Sequence, residues 1–346
     1  MIKRLSLTVL LPCLPYLVGC SFVPIRYMLV DVNSNTKLPL IDPNDGPLKM
    51  TLEGNTVALN TRPVIDLEES CKIKYNSLPF EGCNIIVAGR LAKNYQCRVL
   101  IDTGYPLLSM LSYNIVQENI LPVYPIEGMS PSGGVCYLSY LQIGRVTVRD
   151  VSCLYMNRQW ELQFFGMPVN KTRMVLFGLQ LMREFRYIMF DGVHRELELS
   201  AKQSFMPTQD GRWLQYPFKI EEDINKNLRL MVDFPIEGKN YHIALDTGAS
   251  EALIVDTKFF DEFSKNIKIT AKKQNLKQVN YITGWYDCQK VVFPELNFGH
   301  GKIKNAQIII RPDDIAYEYP NFVGMQYFKD TVFVLDFENE LLWVKN

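Results

Sequence analysis

"HIALDTGASEALIV", residues 242–255, decides the reading of this chain: an apolar run ends in Asp246-Thr247-Gly248, and a second apolar run follows. An aspartate among apolar residues is costly to ionise unless something pairs with it, so the stretch demands a partner. "CRVLIDTGYPLLSML", residues 97–111, carries Asp102-Thr103-Gly104 in the same surroundings. At average residue usage one Asp-Thr-Gly arises by chance in roughly 0.06 of chains this long. Two copies in matching contexts indicate a duplicated unit.

The duplication extends beyond the triplets. Lys93-Asn94-Tyr95 and Lys239-Asn240-Tyr241 precede them, "LQIG" ending at Gly144 and "LNFG" ending at Gly299 follow, and β-rich runs come next. "LFGLQLMREFRYIMFDGVHRELEL" then matches "FVGMQYFKDTVFVLDFENELLWV", with Gly178 76 residues after Asp102 and Gly324 78 residues after Asp246. A period of about 145 residues is far above solenoid repeats, so each unit is expected to be a lobe with its own core, at 71–205 and 206–346. β-branched and aromatic segments separated by Asp191-Gly192 and Glu338-Asn339 turns predict a mainly β protein. Short helices are expected near Leu179–Phe185, Asp256–Lys265 and Met325–Lys329.

A chain of 346 residues with 47% hydrophobic residues can supply a core for each lobe. Lys+Arg and Asp+Glu are equal at 37 each and no basic stripe stands out, so nothing indicates nucleic acid. Lys3 and Arg4 precede an apolar segment from Leu5 to Val18, the pattern of a secretory signal and too short to span a bilayer. It ends Leu17-Val18-Gly19-Cys20, which resembles the lipobox of bacterial lipoproteins. That resemblance implies a signal peptide over residues 1–19, lipidation of Cys20, and, with Ser21 next, an outer-membrane anchor facing the periplasm. The alternative is an ordinary signal peptide cleaved nearby. Residues 20–70, rich in turn formers, read as a tether with room for a strand or two. At most one disulfide is expected, Cys71 to Cys83, with buried free thiols as the alternative.

The paired elements Leu100-Ile101-Asp102-Thr103-Gly104 and Ala244-Leu245-Asp246-Thr247-Gly248, each followed by an apolar-apolar-glycine element at Gly178 and Gly324, resemble the pepsin-like and retropepsin-like aspartic peptidases over residues 71–346. The resemblance implies two related β-barrel-like lobes with a cleft between them. The site would form within one chain, working as a monomer without a cofactor or metal. Peptide hydrolysis without a covalent intermediate needs an acid and a base together. Two adjacent carboxyls sharing one proton provide both; this peptidase family is the standard example of the effect. Asp102 and Asp246 would be that pair, and sequence does not assign the proton between them. Thr103 and Thr247 would bond across the lobes, Gly104 and Gly248 would let the loops turn and aim amides at the carboxylates, and Ser250 would support the outer oxygen of Asp246.

Family members also close a hairpin over the substrate. In "SPSGGVCYLSY" Gly133-Gly134 are the candidate tip and Tyr137 or Tyr140 the cleft-facing aromatics. Gly284, Trp285 and Tyr286 take the equivalent place in the second half, and for each residue an ordinary hairpin position is the competing reading. The first half departs from the pattern, because Tyr105 and Pro106 stand where a small residue and Ser or Thr are usual, and proline offers neither hydroxyl nor amide. His194, His242 and His300 have no metal or triad spacing and read as surface or turn residues. Ser130 in "GMSPSG" lacks the second glycine of a nucleophile elbow. The expected protein is a lipid-anchored aspartic endopeptidase of the cell envelope acting on polypeptide. The alternative is a non-catalytic lipoprotein that holds a peptide or protein in the same cleft.

Overall fold

The computed structural model describes residues 25–32, 37–41, 50–53, 56–59, 62–75, 83–126, 133–164, 167–223, 227–265, 267, 272–281, 284–299, 301–312 and 319–346. Cys20, the segment before it and His300 lie outside them. The protein is mainly β, as the alternating and β-branched segments predict. In Trp213–Glu222 the alternation is plain: Leu214, Tyr216 and Phe218 are buried while Gln215, Pro217 and Lys219 are exposed. That period of two suits a strand with one face on a core.

The first half builds a closed six-stranded barrel. Around it run Val146–Met156, Ser109–Leu111, Met174–Gly178, Tyr95–Asp102, Ile86–Leu91 and Gly133–Ile143, with the last strand pairing back onto the first. The second half repeats the order with Gly301–Arg311, Leu253–Asp256, Phe322–Val323, Lys239–Leu245, Leu228–Ile236 and Gly284–Phe298. Here the ring closes through Gly284–Phe298, which pairs with Gly301–Arg311 and touches Leu228–Ile236 at Phe298 and Ile236. Three strands from each half then form a joining sheet in the order Cys71–Lys74, Glu196–Ser200, Tyr187–Asp191, Val332–Asp336, Leu341–Lys345, Trp213–Glu222. Its central pair is antiparallel about Met189 and Val334, so the halves meet with local two-fold symmetry. Phe190 and Phe333 stack there at 4.4 Å between ring centroids, and both are fully buried. Such a pair contributes about 0.5–1.5 kcal/mol beyond the burial of its area.

The described part of residues 20–70 contributes four short strands where one or two were expected. Ile25–Asp31 pairs with an inserted hairpin, Arg158–Phe164 and Met167–Thr172, and Val64–Asp66 pairs with Val146–Met156. Both complete sheet edges whose backbone groups would otherwise lack partners. Of the expected helices, one spans Thr257–Lys265, with Asp256 accepting the Phe259 amide at 2.6 Å and Phe263 buried. Another is a single turn, Leu179–Met182. At 325–329 only a 3-10 turn forms, displaced to Phe328–Asp330. A helix at Tyr113–Glu118 was not expected.

Cys71 and Cys83 are not bridged; all six cysteines from Cys71 onward are free thiols. Cys71 is buried, its sulfur accepting the Arg145 amide at 3.2 Å, while Cys83 sits beside Ser250 of the other half. No described helix is long and apolar enough to cross a membrane.

Candidate active site

Each triplet is delivered by the end of a barrel strand. Tyr95–Asp102 runs parallel to Met174–Gly178 with Asp102 opposite Gly178, and Lys239–Leu245 runs parallel to Phe322–Val323. The Asp246 amide continues that second ladder by donating to the Val323 carbonyl at 2.9 Å. The loops pass the later glycines too closely for any side chain: a Cβ on Gly178 would lie 2.1 Å from the Leu107 oxygen, and one on Gly324 2.4 Å from the Glu251 oxygen.

The two loops then interlock. Thr103 donates its hydroxyl to the Leu245 carbonyl at 2.7 Å and accepts the Thr247 amide at 2.9 Å. Thr247 does the same in reverse, to the Ile101 carbonyl at 2.8 Å and from the Thr103 amide at 3.0 Å. Both threonines are almost completely buried. Four hydrogen bonds between the halves therefore hold two backbone segments in register with no water between them.

This interlock brings the carboxylates face to face. A Cβ on Gly104 would lie 2.5 Å from the Asp246 carboxylate, and one on Gly248 2.6 Å from that of Asp102. Only glycine fits either position, because the space is filled by the opposing acid. Each carboxylate thus stands against the glycine of the opposite triplet. Asp102 accepts the Gly104 amide at 2.9 Å and the Tyr105 amide at 3.2 Å, and Asp246 accepts the Gly248 amide at 2.8 Å. Burial, then the charge of Asp246, pushes Asp102 well above the ordinary carboxylate range. Burial also raises Asp246, but the Gly248 amide, its hydrogen bond with Asp102 and the charge of Arg229 oppose the rise. Two buried carboxyls this close disfavour one another's charge.

Ser250 does not serve Asp246. Its hydroxyl donates to Asn84 Oδ1 and accepts the Cys83 amide, both at 3.2 Å, so it ties its loop to the first half. Tyr105, the first-half departure, is buried among Ile86, Leu100, Met110, Met174 and Leu176, filling space that the small Ala249 leaves to other residues in the second half. Pro106 removes no ligand from Asp102, because the Tyr105 amide before it still reaches the carboxylate.

The hairpin candidates fare differently. Gly133 and Gly134 are not a tip but paired strand residues, opposite Met156 and Tyr155, and the Ile126 amide bonds the Gly133 carbonyl. Residues 127–132 lie outside the described residues. Tyr137 commits its hydroxyl to Asp150 on the neighbouring strand, and Tyr140 to Gln142 at 2.9 Å. Gly284, Trp285 and Tyr286 pair with Tyr281, Asn280 and Val279, while their side chains lie outside the description.

One site residue was missed from sequence. Arg229 is only 4% exposed, donates through Nη1 to the Gly104 carbonyl at 2.8 Å, and pairs through Nε with Asp223 at 2.9 Å. Its only signal was an arginine at the start of an apolar strand. Among the described residues no group of three His, Cys, Asp or Glu side chains is placed to hold a metal. Hollows of about 1050 Å³ beside Met167–Thr172 and about 630 Å³ near Cys83 and Lys329 are lined by neither aspartate. Compared with known protein families and with curated proteins, the chain matches none.

Proposed function

We propose that the chain is an aspartic endopeptidase of the pepsin-like and retropepsin-like type, with both halves of the active site in one molecule. The observation that carries this reading is the reciprocal contact of Gly104 with the Asp246 carboxylate and of Gly248 with that of Asp102. Two carboxyls held this way cannot both ionise cheaply, so at working pH they carry one proton between them.

The chemistry follows from that proton. The ionised carboxylate takes a proton from water as the water oxygen bonds to the peptide carbonyl carbon, and the protonated carboxyl gives its proton to the carbonyl oxygen. Collapse of the resulting diol breaks the C–N bond, the nitrogen leaves with a proton, and the dyad returns to one shared proton. Substrate would lie extended between the barrels, bonded through its backbone in the manner of an added strand. The lipobox-like ending at Cys20 supports anchorage of this enzyme to the bacterial envelope, facing the periplasm. A non-catalytic protein would find its best support in the Tyr105-Pro106 departure, and the amide contact from Tyr105 to Asp102 weakens that support.

The test is incubation of the chain beginning after Cys20 with fluorescein-labelled unfolded casein from acidic to neutral pH. The wild type is expected to cleave it, and Asp102→Asn and Asp246→Asn are each expected to lose at least about 100-fold in rate. Full activity in either single variant overturns the mechanism.

A further inference from the structure

The two aspartates are alike in sequence but not in what faces them. Continuing the strand registers past Ile86 opposite Leu100, and past Met231 opposite Ala244, places Asn84 across from Asp102 and Arg229 across from Asp246. Both residues reach over to the other half: Asn84 accepts the Ser250 hydroxyl, and Arg229 donates to the Gly104 carbonyl. The equivalent positions therefore carry a neutral amide on one side and a buried guanidinium on the other.

We propose that Arg229 makes the dyad unequal, keeping the shared negative charge on Asp246 and so leaving the shared proton on Asp102 before substrate arrives. This rests on the peptidase reading of the site. Arg229 belongs to the same half as Asp246, and its guanidinium holds the carbonyl of the glycine that packs against the Asp246 carboxylate. Buried as it is, its charge is weakly screened. Asp223 pairs with it, and the Phe322 ring lies 5.8 Å from the guanidinium carbon.

The other ionisable groups at the site do not reverse the order. Asp246 faces Asp102, Arg229 and, more weakly, Glu251, which is itself raised by burial and partly offset by Lys290. Asp102 faces Asp246 and the buried phenol of Tyr105, and the amides of Gly104 and Tyr105 favour its charge. Asp246 would then be the base that takes the proton from water, and Asp102 the acid that protonates the carbonyl oxygen. Arg229 touches neither substrate nor water in this scheme; it is a positioning residue.

The experiment uses the chain beginning after Cys20, labelled with carbon-13 at aspartate carboxyls, as wild type, Arg229→Met and Arg229→Lys. Resonances are assigned with Asp102→Asn and Asp246→Asn, and the pH profile of kcat/KM on labelled casein is recorded alongside. In the wild type Asp246 is expected to ionise at lower pH than Asp102. In Arg229→Met its titration and the acid limb of the profile are expected to rise by about one pH unit, with Arg229→Lys staying near wild type. A reversed order in the wild type, or an unmoved Asp246 titration in a folded Arg229→Met, overturns the proposal; should that variant not fold, the wild-type order decides. Absence of casein cleavage with the predicted titrations intact would instead count against the peptidase reading alone.

Discussion

Around Asp102 the loop continues with a buried tyrosine and a proline; around Asp246 it continues with an alanine and a serine whose hydroxyl crosses to Asn84. Yet the glycine amides reach their carboxylates at 2.9 and 2.8 Å, and the threonines make the same two bonds in each direction. Backbone and threonine contacts form a symmetric frame, while the side chains behind the frame differ freely. The threonine bonds of the frame cross between the halves, so each half depends on the other's threonine. The surrounding side chains need only fill their own barrel.

The frame breaks most severely at the threonines. Thr103→Val and Thr247→Val each strand a buried amide and a buried carbonyl of the opposite loop, which costs about 1–3 kcal/mol per group, or about 2–6 kcal/mol in total. Urea unfolding is expected to show similar losses for the two variants, and a large difference between them would mean the interlock is not symmetric. Behind the frame, Tyr105→Ala should cost about 3–5 kcal/mol, because it empties the aromatic from a packed cluster that has no aromatic at the Ala249 position of the second half. Restored activity on refilling with Tyr105→Phe would assign the residue to packing, since its hydroxyl bond to the Ser109 carbonyl is long at 3.3 Å.

Ser250→Ala sharpens the comparison further. The hydroxyl bonds Asn84 and Cys83 rather than a carboxylate, so its loss is expected to cost about 1–2 kcal/mol in thermal unfolding and leave the pH profile in place. A shifted profile would return Ser250 to the dyad. The smallest effect belongs to His242 at the start of the Asp-Thr-Gly strand, which has no counterpart in the first half. Its bonds to Asp233, at 2.8 Å, and Glu221 raise its titration above the ordinary value. A raised histidine adds stability below its unfolded titration and loses it as pH rises through the folded one. His242→Gln should therefore lower Tm slightly at pH 5 and not at pH 9; the ring is exposed, so the effect is small.

Much of this was legible in the chain. β-branched and aromatic runs between turn residues announced the strands, and the helix expected near Asp256–Lys265 forms at Thr257–Lys265. The short helix at Tyr113–Glu118 left no periodic trace, being six residues long with all of Tyr113, Asn114, Ile115 and Val116 buried. Gly133-Gly134 looked like a turn because glycine pairs usually are, but cross-strand pairing on both sides absorbed them. Ser250 and Arg229 could not be read correctly, because Ser250 bonds Asn84 and Cys83, 166 and 167 residues away, and Arg229 reaches Gly104, 125 residues away.

By itself the sequence determined the β class, the duplicated units and the identity of the two aspartates, because strand periodicity and motif spacing are properties of neighbouring residues. Only the tertiary structure decided that each carboxylate packs against the glycine of the other triplet, that Cys71 and Cys83 stay unbridged, and that a buried arginine of the second half reaches the Gly104 carbonyl of the first. Those outcomes depend on burial and electric fields at the contact between the halves, where charges distant along the chain lie within a few ångströms in a medium that screens them poorly.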